Sequence, residues 1–171
     1  MTLFKPLGKV GKPFIPLFLL SLLCACCSSC PRWDFQETIT CSPYFNSGRI
    51  FLPPTNPLRE VELEISRGGN GTEMYLNALA FTFNYETSNL LMTTVEVEIE
   101  DELFIFEADL FVGGQRIKLP ADMTEKISLA LINQQPVTIR SGRFTNCITA
   151  EGFAKALAKL DKIPVGYSSI P

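Results

Sequence analysis

Strict alternation of apolar and acidic residues is the feature that most limits how this chain can fold. The segments EVELEIS, residues 60–66, and LLMTTVEVEIE, residues 90–100, both contain it. A period of two is typical of a β-strand with one buried face and one solvated face. The predicted buried residues are Val61, Leu63, Ile65, Val95, Val97 and Ile99. The predicted solvated residues are Glu60, Glu62, Glu64, Glu96, Glu98 and Glu100.

Two further segments are predicted to be extended. Residues 48–52 form a first strand, and TEMYLNALAFTFNYE, residues 72–86, is apolar on both faces for half its length. The second pattern favours a central strand that is covered on both sides. The turn sequences RGGNG and ETSN flank this strand. One of its faces is predicted to carry Tyr75, Leu79, Phe81, Phe83 and Tyr85.

The segment LFIFEADLFVGGQRIKLP, residues 103–120, predicts a hairpin with a defined register. Gly113 and Gly114 tolerate the positive φ angles that a two-residue hairpin turn requires. With this turn, apolar residues face apolar residues and an acid faces a base, whereas a slip by one residue would mismatch every pair. The predicted pairs are Val112 with Gln115, Leu110 with Ile117, Asp109 with Lys118, and Ala108 with Leu119.

The period becomes helical after Pro120. Asp122 and Glu125 have the spacing of a capping box, and the apolar residues that follow share one helical face. That face holds Met123, Ile127, Ala130 and Leu131. A strand remains the alternative for residues 123–133, because alternate residues there are also apolar.

The last segment predicts one or two strands and then a helix. PVTIRSGRFTNCIT, residues 136–149, is extended in character, and Thr149 is a candidate cap for a final helix that ends before Pro164. The apolar stripe of this helix holds Phe153, Leu157 and Leu160. Together the elements predict an α+β fold that is mainly antiparallel β: a β-sandwich-like sheet of hairpins with one or two short helices in the C-terminal third.

The first 30 residues have the layout of a secretory signal. Lys5, Lys9 and Lys12 precede an apolar stretch from Phe14 to Cys27, and no acidic residue comes before Asp34. This stretch is shorter than the roughly 20 residues that a membrane-spanning helix needs. A cleaved leader is therefore favoured over a permanent membrane span.

The sequence LCAC, Leu23 to Cys26, resembles the lipobox of bacterial envelope lipoproteins. Leu23 stands three residues before Cys26, and the small residue Ala25 stands directly before it. The resemblance implies cleavage between Ala25 and Cys26, a diacylglycerol on the Cys26 thiol, and attachment to a membrane through acyl chains such as palmitate. Cys27 follows in place of the aspartate that retains many such lipoproteins at the inner membrane, which favours the outer membrane. An ordinary leader cut after Cys27 is the alternative.

These observations predict three parts of the chain. Residues 1–25 are a lipoprotein signal peptide, residues 26–46 are a lipidated Ser/Pro-rich tether, and residues 47–171 are one β-rich globular domain. A chain of 171 residues that is 46% hydrophobic can bury a sizeable core. A single domain is therefore expected beyond the tether.

The remaining cysteines allow two further interpretations. Cys27 and Cys30 form a CxxC motif, but the sequence has no histidine and no second CxxC, so neither a catalytic nor a metal site is expected there. Cys41 and Cys147 are the two cysteines outside the anchor region. In an oxidising compartment they can form a disulfide. That bond and two unbonded thiols both remain open.

Composition argues against several classes of function. The formal net charge of −3 provides no basic surface for nucleic acid. With no histidine, the commonest general base and metal ligand is missing. The glycine-rich RGGNG joins two predicted strands and does not open a helix, so it is not a phosphate-binding loop. We therefore expect no cofactor, no metal and no enzymatic activity, and we interpret the glutamate rows as the solvated face of a sheet.

Three hypotheses of function follow. The leading one is a lipid-anchored protein of the cell envelope whose non-enzymatic domain binds or braces another envelope protein or a glycan. The second is a lipoprotein that carries a small hydrophobic ligand between the layers of its fold. The third is a glycan hydrolase that uses carboxylates alone.

Overall fold

The structure is a computed structural model that describes residues 31–85 and 90–166. The predicted lipid-attachment site Cys26 and the predicted cleavage site between Ala25 and Cys26 lie outside the described residues. The CxxC motif of Cys27 and Cys30 lies outside them as well.

Nine strands and two α-helices form the described part of the chain. The strands are β1 (Asp34–Thr38), β2 (Ser47–Leu52), β3 (Glu62–Gly68), β4 (Gly71–Asn77), β5 (Met92–Ile99), β6 (Glu102–Leu110), β7 (Arg116–Lys118), β8 (Val137–Ser141) and β9 (Phe144–Ile148). The helices are α1 (Ala121–Ile132) and α2 (Phe153–Leu160), and a 3₁₀ turn covers Pro43–Phe45. The predicted α+β fold, mainly antiparallel β with two short helices in the C-terminal third, is confirmed.

The nine strands form one sheet in the order β1-β2-β3-β4-β7-β6-β5-β8-β9, and all neighbours are antiparallel. The short strand β7 joins β4 to β6, so the hairpins of the two halves merge instead of stacking as two sheets. The helices supply the opposing layer: α1 contacts β4, β8 and α2, and α2 contacts β1 and β2.

The last strand bends back onto the connection between β2 and β3. The backbone N–H of Thr145 donates to the carbonyl oxygen of Arg59 at 2.9 Å. The side-chain amide of Asn146 accepts from the backbone N–H of Val61 at 2.8 Å and donates to the carbonyl oxygen of Val61 at 2.7 Å. The sheet is therefore strongly curved, in the sense that strand twist favours.

The two ends of the strand order also meet through Trp33. Its indole N–H donates to the carbonyl oxygen of Thr149 at 2.9 Å, and its ring lies 4.9 Å from that of Phe153 between centroids. Trp33 comes directly before β1, whereas Thr149 comes directly after β9. The start of the described domain is thus fastened next to the end of its last strand.

The core fills the space between the inner face of the sheet and the two helices. Of the residues predicted to be buried in strands, Val61, Leu63, Ile65, Val95 and Val97 are buried and Ile99 is partly buried. On α1, the predicted face of Met123, Ile127, Ala130 and Leu131 is buried. On α2, Phe153 and Leu160 are buried and Leu157 is partly buried. The helix predicted for residues 123–133 is confirmed, and the strand alternative is excluded.

The predicted register of the β6–β7 hairpin is confirmed for the two residue pairs that the ladder contains. Asp109 pairs with Lys118 and Leu110 pairs with Ile117. The ladder ends there, because residues 111–115 form a wider turn than expected, in which the backbone N–H of Gly114 donates to the carbonyl oxygen of Phe111 at 2.9 Å. The predicted pair of Val112 with Gln115 is therefore not part of the ladder. The predicted pair of Ala108 with Leu119 is also absent from it, because β7 ends at Lys118 and the backbone N–H of Leu119 donates to the carbonyl oxygen of Met74 at 2.9 Å.

The long strand predicted for residues 72–86 is wrong in its second half. β4 ends at Asn77, and the following segment crosses the tip of the β6–β7 hairpin: Ala78 N–H donates to Gln115 and Phe83 N–H to Gly114. The short neighbour β7 leaves β4 without a partner strand beyond Asn77. Of the four aromatic or leucine residues that alternate along this segment, Phe83 packs into the core. The other three, Leu79, Phe81 and Tyr85, are exposed.

The two predicted helix caps also differ from the structure. α1 begins earlier than expected, with Pro120 at the N-cap and no side-chain cap, so Asp122 and Glu125 do not form a capping box. Thr149 accepts from the backbone N–H of Glu151 at 3.2 Å, and Gly152 with φ 81° stands at the N-cap of α2. Thr149 thus shapes the turn before the helix.

The predicted boundary between tether and domain requires correction. Residues 31–85 and 90–166 belong to one compact unit. β1 lies within the predicted tether of residues 26–46, yet it pairs with β2 along its whole length, from Asp34 with Phe51 to Thr38 with Ser47. The alternation in β1 is too short and too polar to have signalled a strand, and pairing with β2 decides its conformation.

Gly48 of β2 provides a test of how α2 packs on the sheet. A Cβ added at Gly48 would lie 1.8 Å from Ile163 Cδ1, whereas one added at Gly68 of β3 would lie 3.9 Å from its nearest neighbour. We expect Gly48→Ala to lower the free energy of unfolding by about 1–3 kcal/mol, as overpacking does. Gly68→Ala, the matched control, should change it little. Denaturant unfolding of both variants measures the difference, and equal stabilities would contradict the close packing.

Candidate functional site

The disulfide proposed between Cys41 and Cys147 is not formed in the structure. Both residues are exposed free thiols. Cys147 lies near the end of β9, where Trp33 bonds to Thr149 and β1 begins. Cys41 comes after the other end of β1. A five-residue strand spans about 17 Å, which is more than a disulfide can bridge. The arrangement follows from the direction of β1, which sequence spacing does not determine.

The glutamate rows are only partly the solvated face that the sequence predicts. Glu64 of β3 lies on the outer face of the sheet, opposite the core, yet its side chain is only 4% exposed. Two arginines and an asparagine from neighbouring strands cover it. Glu98 of β5 is paired as well, with Arg140 at 2.8 Å, but its side chain is 39% exposed.

The polar side chains around Glu64 form a continuous row that we call the outer-face ladder. It takes one residue from each of five adjacent strands: Gln36, Arg49, Glu64, Asn77 and Arg116. Arg49 donates to Gln36 at 2.8 and 3.0 Å and to Glu64 at 3.2 Å. Arg116 donates to Glu64 at 2.9 and 3.2 Å and to Asn77 at 3.0 Å. Asn77 donates to Glu64 at 2.8 Å.

The ladder keeps Glu64 ionised. Burial by itself raises the pKa of this carboxyl, but hydrogen bonds from Arg116 and Asn77, and the charges of Arg116 and Arg49, outweigh it, so the pKa lies below its usual value. A lowered folded-state pKa stabilises the fold at pH values above the unfolded pKa. That contribution is lost as the pH falls below about 4.5 and through the folded-state pKa.

A second cluster lies beside the ladder on β4 and β7. Lys118 donates to Glu73 at 2.6 Å, and the Tyr75 hydroxyl donates to the other oxygen of Glu73 at 2.5 Å. These hydrogen bonds, that of Lys118 first, hold the pKa of Glu73 below its usual value. Arg116 lies over the Tyr75 ring at 3.8 Å from its centroid, and Arg49 lies over the Phe51 ring at 4.7 Å. Stacking of this kind orders the guanidinium groups at the surface.

A shallow groove of about 220 Å³ runs beside the outer-face ladder. Its lining is mostly polar and comes from β1, β2 and β3, with Gln36, Thr38, Arg49, Glu64 and Ser66 among the lining residues. The ladder can thus accept a partner group at one side without rearrangement.

A different surface occurs where the β6–β7 hairpin meets the segments on either side of residues 86–89. Seven large apolar side chains are exposed there, and we call them the apolar rim: Leu79, Phe81, Tyr85, Leu90, Leu91, Phe111 and Val112. Val112 is 96% exposed. An open groove of about 420 Å³ runs between five of the rim residues, Tyr85, Leu90, Leu91, Phe111 and Val112, and no charged residue is among those that line it in the described part of the chain.

A third groove, of about 530 Å³, separates α1 from the β5–β6 turn. Its floor includes Phe104, over which the Lys126 ammonium lies 4.3 Å from the ring centroid. Gln135 donates to Glu100 at 2.7 Å on its edge. Its polar edge groups are therefore largely engaged with their own neighbours.

Neither metal-binding groups among the described residues nor comparisons with known proteins assign a function to this chain. Within residues 31–85 and 90–166, no group of three or more acidic, cysteine or histidine side chains is placed to hold a metal ion. Among those same residues, none of the helices has the length and apolar character to cross a membrane. The chain matches no protein-family model, no curated protein and no solved structure.

Sequence reasoning missed the arginines that define the outer-face ladder. Arg49 and Arg116 stand at outward positions of β2 and β7, each beside an inward apolar residue, which is the signal that a period-two pattern offers. Their convergence on Glu64 depends on β7 joining β4, an order that the spacing along the chain does not reveal.

The difference in burial between two glutamate–arginine pairs provides a test of the ladder. We expect Glu64→Ala to lower the free energy of unfolding by roughly 1–3 kcal/mol, because it removes a nearly buried carboxylate that accepts hydrogen bonds from Arg49, Asn77 and Arg116. Glu98→Ala, the matched control on an exposed pair, should cost less than about 1 kcal/mol. Urea unfolding at neutral pH measures both, and similar losses would show that the ladder contributes no more than an ordinary surface pair.

Proposed function

We propose that this chain is a lipid-anchored protein of the bacterial cell envelope, whose non-enzymatic β-rich domain binds another envelope protein. The lipobox-like LCAC with Cys26 as the anchor supports the membrane attachment. The outer membrane is the favoured location, because Cys27 and not aspartate follows Cys26. The outer-face ladder is the surface through which the domain binds its partner.

The observation that carries the proposal is the composition and order of the outer-face ladder. Arginine and tyrosine are the residue types that contribute most at protein interfaces. Here Arg116 is held by Glu64 and by stacking on Tyr75, so little side-chain freedom remains to be lost on binding. Ordered polar groups around a shallow groove suit a protein surface better than a small ligand, which needs a concave apolar pocket.

The state of Glu64 and Glu73 argues against a hydrolase that would use these two carboxylates. Glycan hydrolysis needs one carboxylic acid with a raised pKa to protonate the leaving group. The hydrogen bonds and charges around Glu64 and Glu73 lower their pKa values instead. Both groups are therefore acceptors for their own arginine and lysine neighbours and poor proton donors.

The packed interior argues against a ligand carried between the layers. The inner face of the sheet and both helices share one hydrophobic cluster that runs from Ile50 of β2 to Ile163 after α2. The phenylalanines Phe83, Phe144 and Phe153, which could have lined a cavity, are buried core residues in contact with other rings. Binding at the surface is therefore preferred over transport in the interior.

The lipid anchor is tested by substitution of single cysteines. We expect Cys26→Ser to abolish metabolic labelling with a fatty-acid probe and to release the protein from the membrane fraction. Cys24→Ser, the matched control, removes a neighbouring cysteine of the leader and should leave labelling unchanged. Labelling that persists in the Cys26→Ser variant would end the lipoprotein proposal.

The partner surface is tested by photo-crosslinking in intact cells. A photoreactive amino acid at Gln36, the exposed end of the outer-face ladder, should form one discrete protein adduct. The same amino acid at Lys155, an exposed position on α2, should form none. Equal adducts from both positions would contradict the assignment of the surface. An adduct at position 36 that a glycan-degrading enzyme removes would contradict a protein partner.

A further inference from the structure

We propose that the apolar rim contacts the membrane, with its side chains in the boundary between lipid headgroups and acyl chains of the leaflet that holds the anchor. The inference rests on the proposed anchor at Cys26, and it assigns a second site of membrane contact within the domain itself. The outer-face ladder adjoins the rim, because Phe111 packs 6.0 Å from the Tyr75 ring over which Arg116 lies.

The chemistry of the rim suits a lipid surface. Its seven members are leucine, phenylalanine, tyrosine and valine, and the groove between them is uncharged in the described part of the chain. Exposed apolar side chains that are grouped in this way mark a contact surface on a water-exposed protein. Tyr85 adds an apolar ring with a polar hydroxyl, the kind of side chain that is enriched at the boundary of a bilayer.

The rim is held in place by contacts below it. Phe83 lies under the rim, donates its backbone N–H to Gly114 at 2.7 Å, and packs its ring 5.1 Å from that of Phe144. Arg143, in the turn between β8 and β9, lies 3.9 Å from the ring centroid of Phe81. Three connections therefore converge on one surface, and an arginine stands where it can meet anionic lipid headgroups.

The path of the chain brings this surface within reach of the anchor. Phe144 contacts Phe83 at the start of β9, and Thr149, just after β9, holds Trp33. A five-residue strand is about 17 Å long. The seven residue-to-residue steps from Cys26 to Trp33 can span at most about 24 Å. Acyl chains on Cys26 and the rim can therefore occupy the same leaflet.

The distribution of charged and apolar side chains elsewhere on the domain favours an orientation in which the rim faces the membrane. The acidic turn of Glu100, Asp101 and Glu102 lies at the opposite end of the β5–β6 pair from Leu91 and Phe111, about 26 Å away along an eight-residue strand. In this orientation these three carboxylates are kept away from an anionic leaflet, while Arg143 faces it. The exposed Asp109 lies at the rim end of β6 but is paired across the ladder with Lys118. Exposed apolar residues near Phe45 lie beyond the other end of β1 from Trp33 and are further from the anchor.

Tryptophan quenching by brominated lipids tests the contact. The chain has one tryptophan, Trp33, which is partly buried and serves as a constant background. Full-length lipidated Val112→Trp is reconstituted into vesicles of phosphatidylethanolamine with a minor share of phosphatidylglycerol, brominated near the headgroup end of the acyl chains. Phe45→Trp and Leu103→Trp are the controls, because these positions are also exposed, at 74% and 52%, but lie outside the rim.

We expect the tryptophan at position 112 to be quenched several-fold more strongly than either control. Equal quenching of the three variants, with all of them still floating with the vesicles, would overturn the rim contact and leave the anchor intact. Failure of all variants to float would instead contradict the anchor. Quenching at position 112 that disappears when an envelope extract is added would assign the rim to a protein partner and overturn the proposal.

Discussion

The structure depends on the way in which the side chain of Asn146 pairs with the backbone of Val61. A carboxamide has a donor and an acceptor side by side, as a peptide group has, so Asn146 satisfies both backbone groups of Val61 where no strand partner is present. Without this pairing, two buried backbone groups would each cost about 1–3 kcal/mol. The contact holds β9 against the β2–β3 connection, and the core lies between the sheet and the two helices that cover it.

Curvature also separates the surfaces of the domain. The inner face is apolar and covered by α1 and α2, whereas the outer face carries the outer-face ladder around Glu64. The apolar rim forms where the segment after β4 meets the β6–β7 turn and the turn between β8 and β9. The two surfaces adjoin at one place, because the Phe111 ring of the rim lies 6.0 Å from the Tyr75 ring over which Arg116 lies. A protein partner on the outer face and a lipid leaflet at the rim would therefore bind side by side.

Local sequence patterns predicted those strands and helices whose buried residues recur at a regular spacing. Alternation located the core residues of β3 and β5, and the helical period located the buried face of α1. The Gly113–Gly114 turn predicted the pairing of Asp109 with Lys118. The same alternation failed after Asn77, where exposed Phe81 and buried Phe83 follow the contour of a hairpin tip, and it missed β1, whose conformation comes from pairing with β2.

The sequence by itself determined the fold class, most of the core and the expectation of a lipid anchor, because each depends on neighbours along the chain. Only the tertiary structure decided that Glu64 is buried among Arg49, Asn77 and Arg116, that Cys41 and Cys147 are apart, and that seven apolar side chains form one rim. The physical reason is strand order. Placing β7 between β4 and β6, and turning β9 back towards β3, brings together residues that are far apart in the sequence, and no local periodicity encodes those choices.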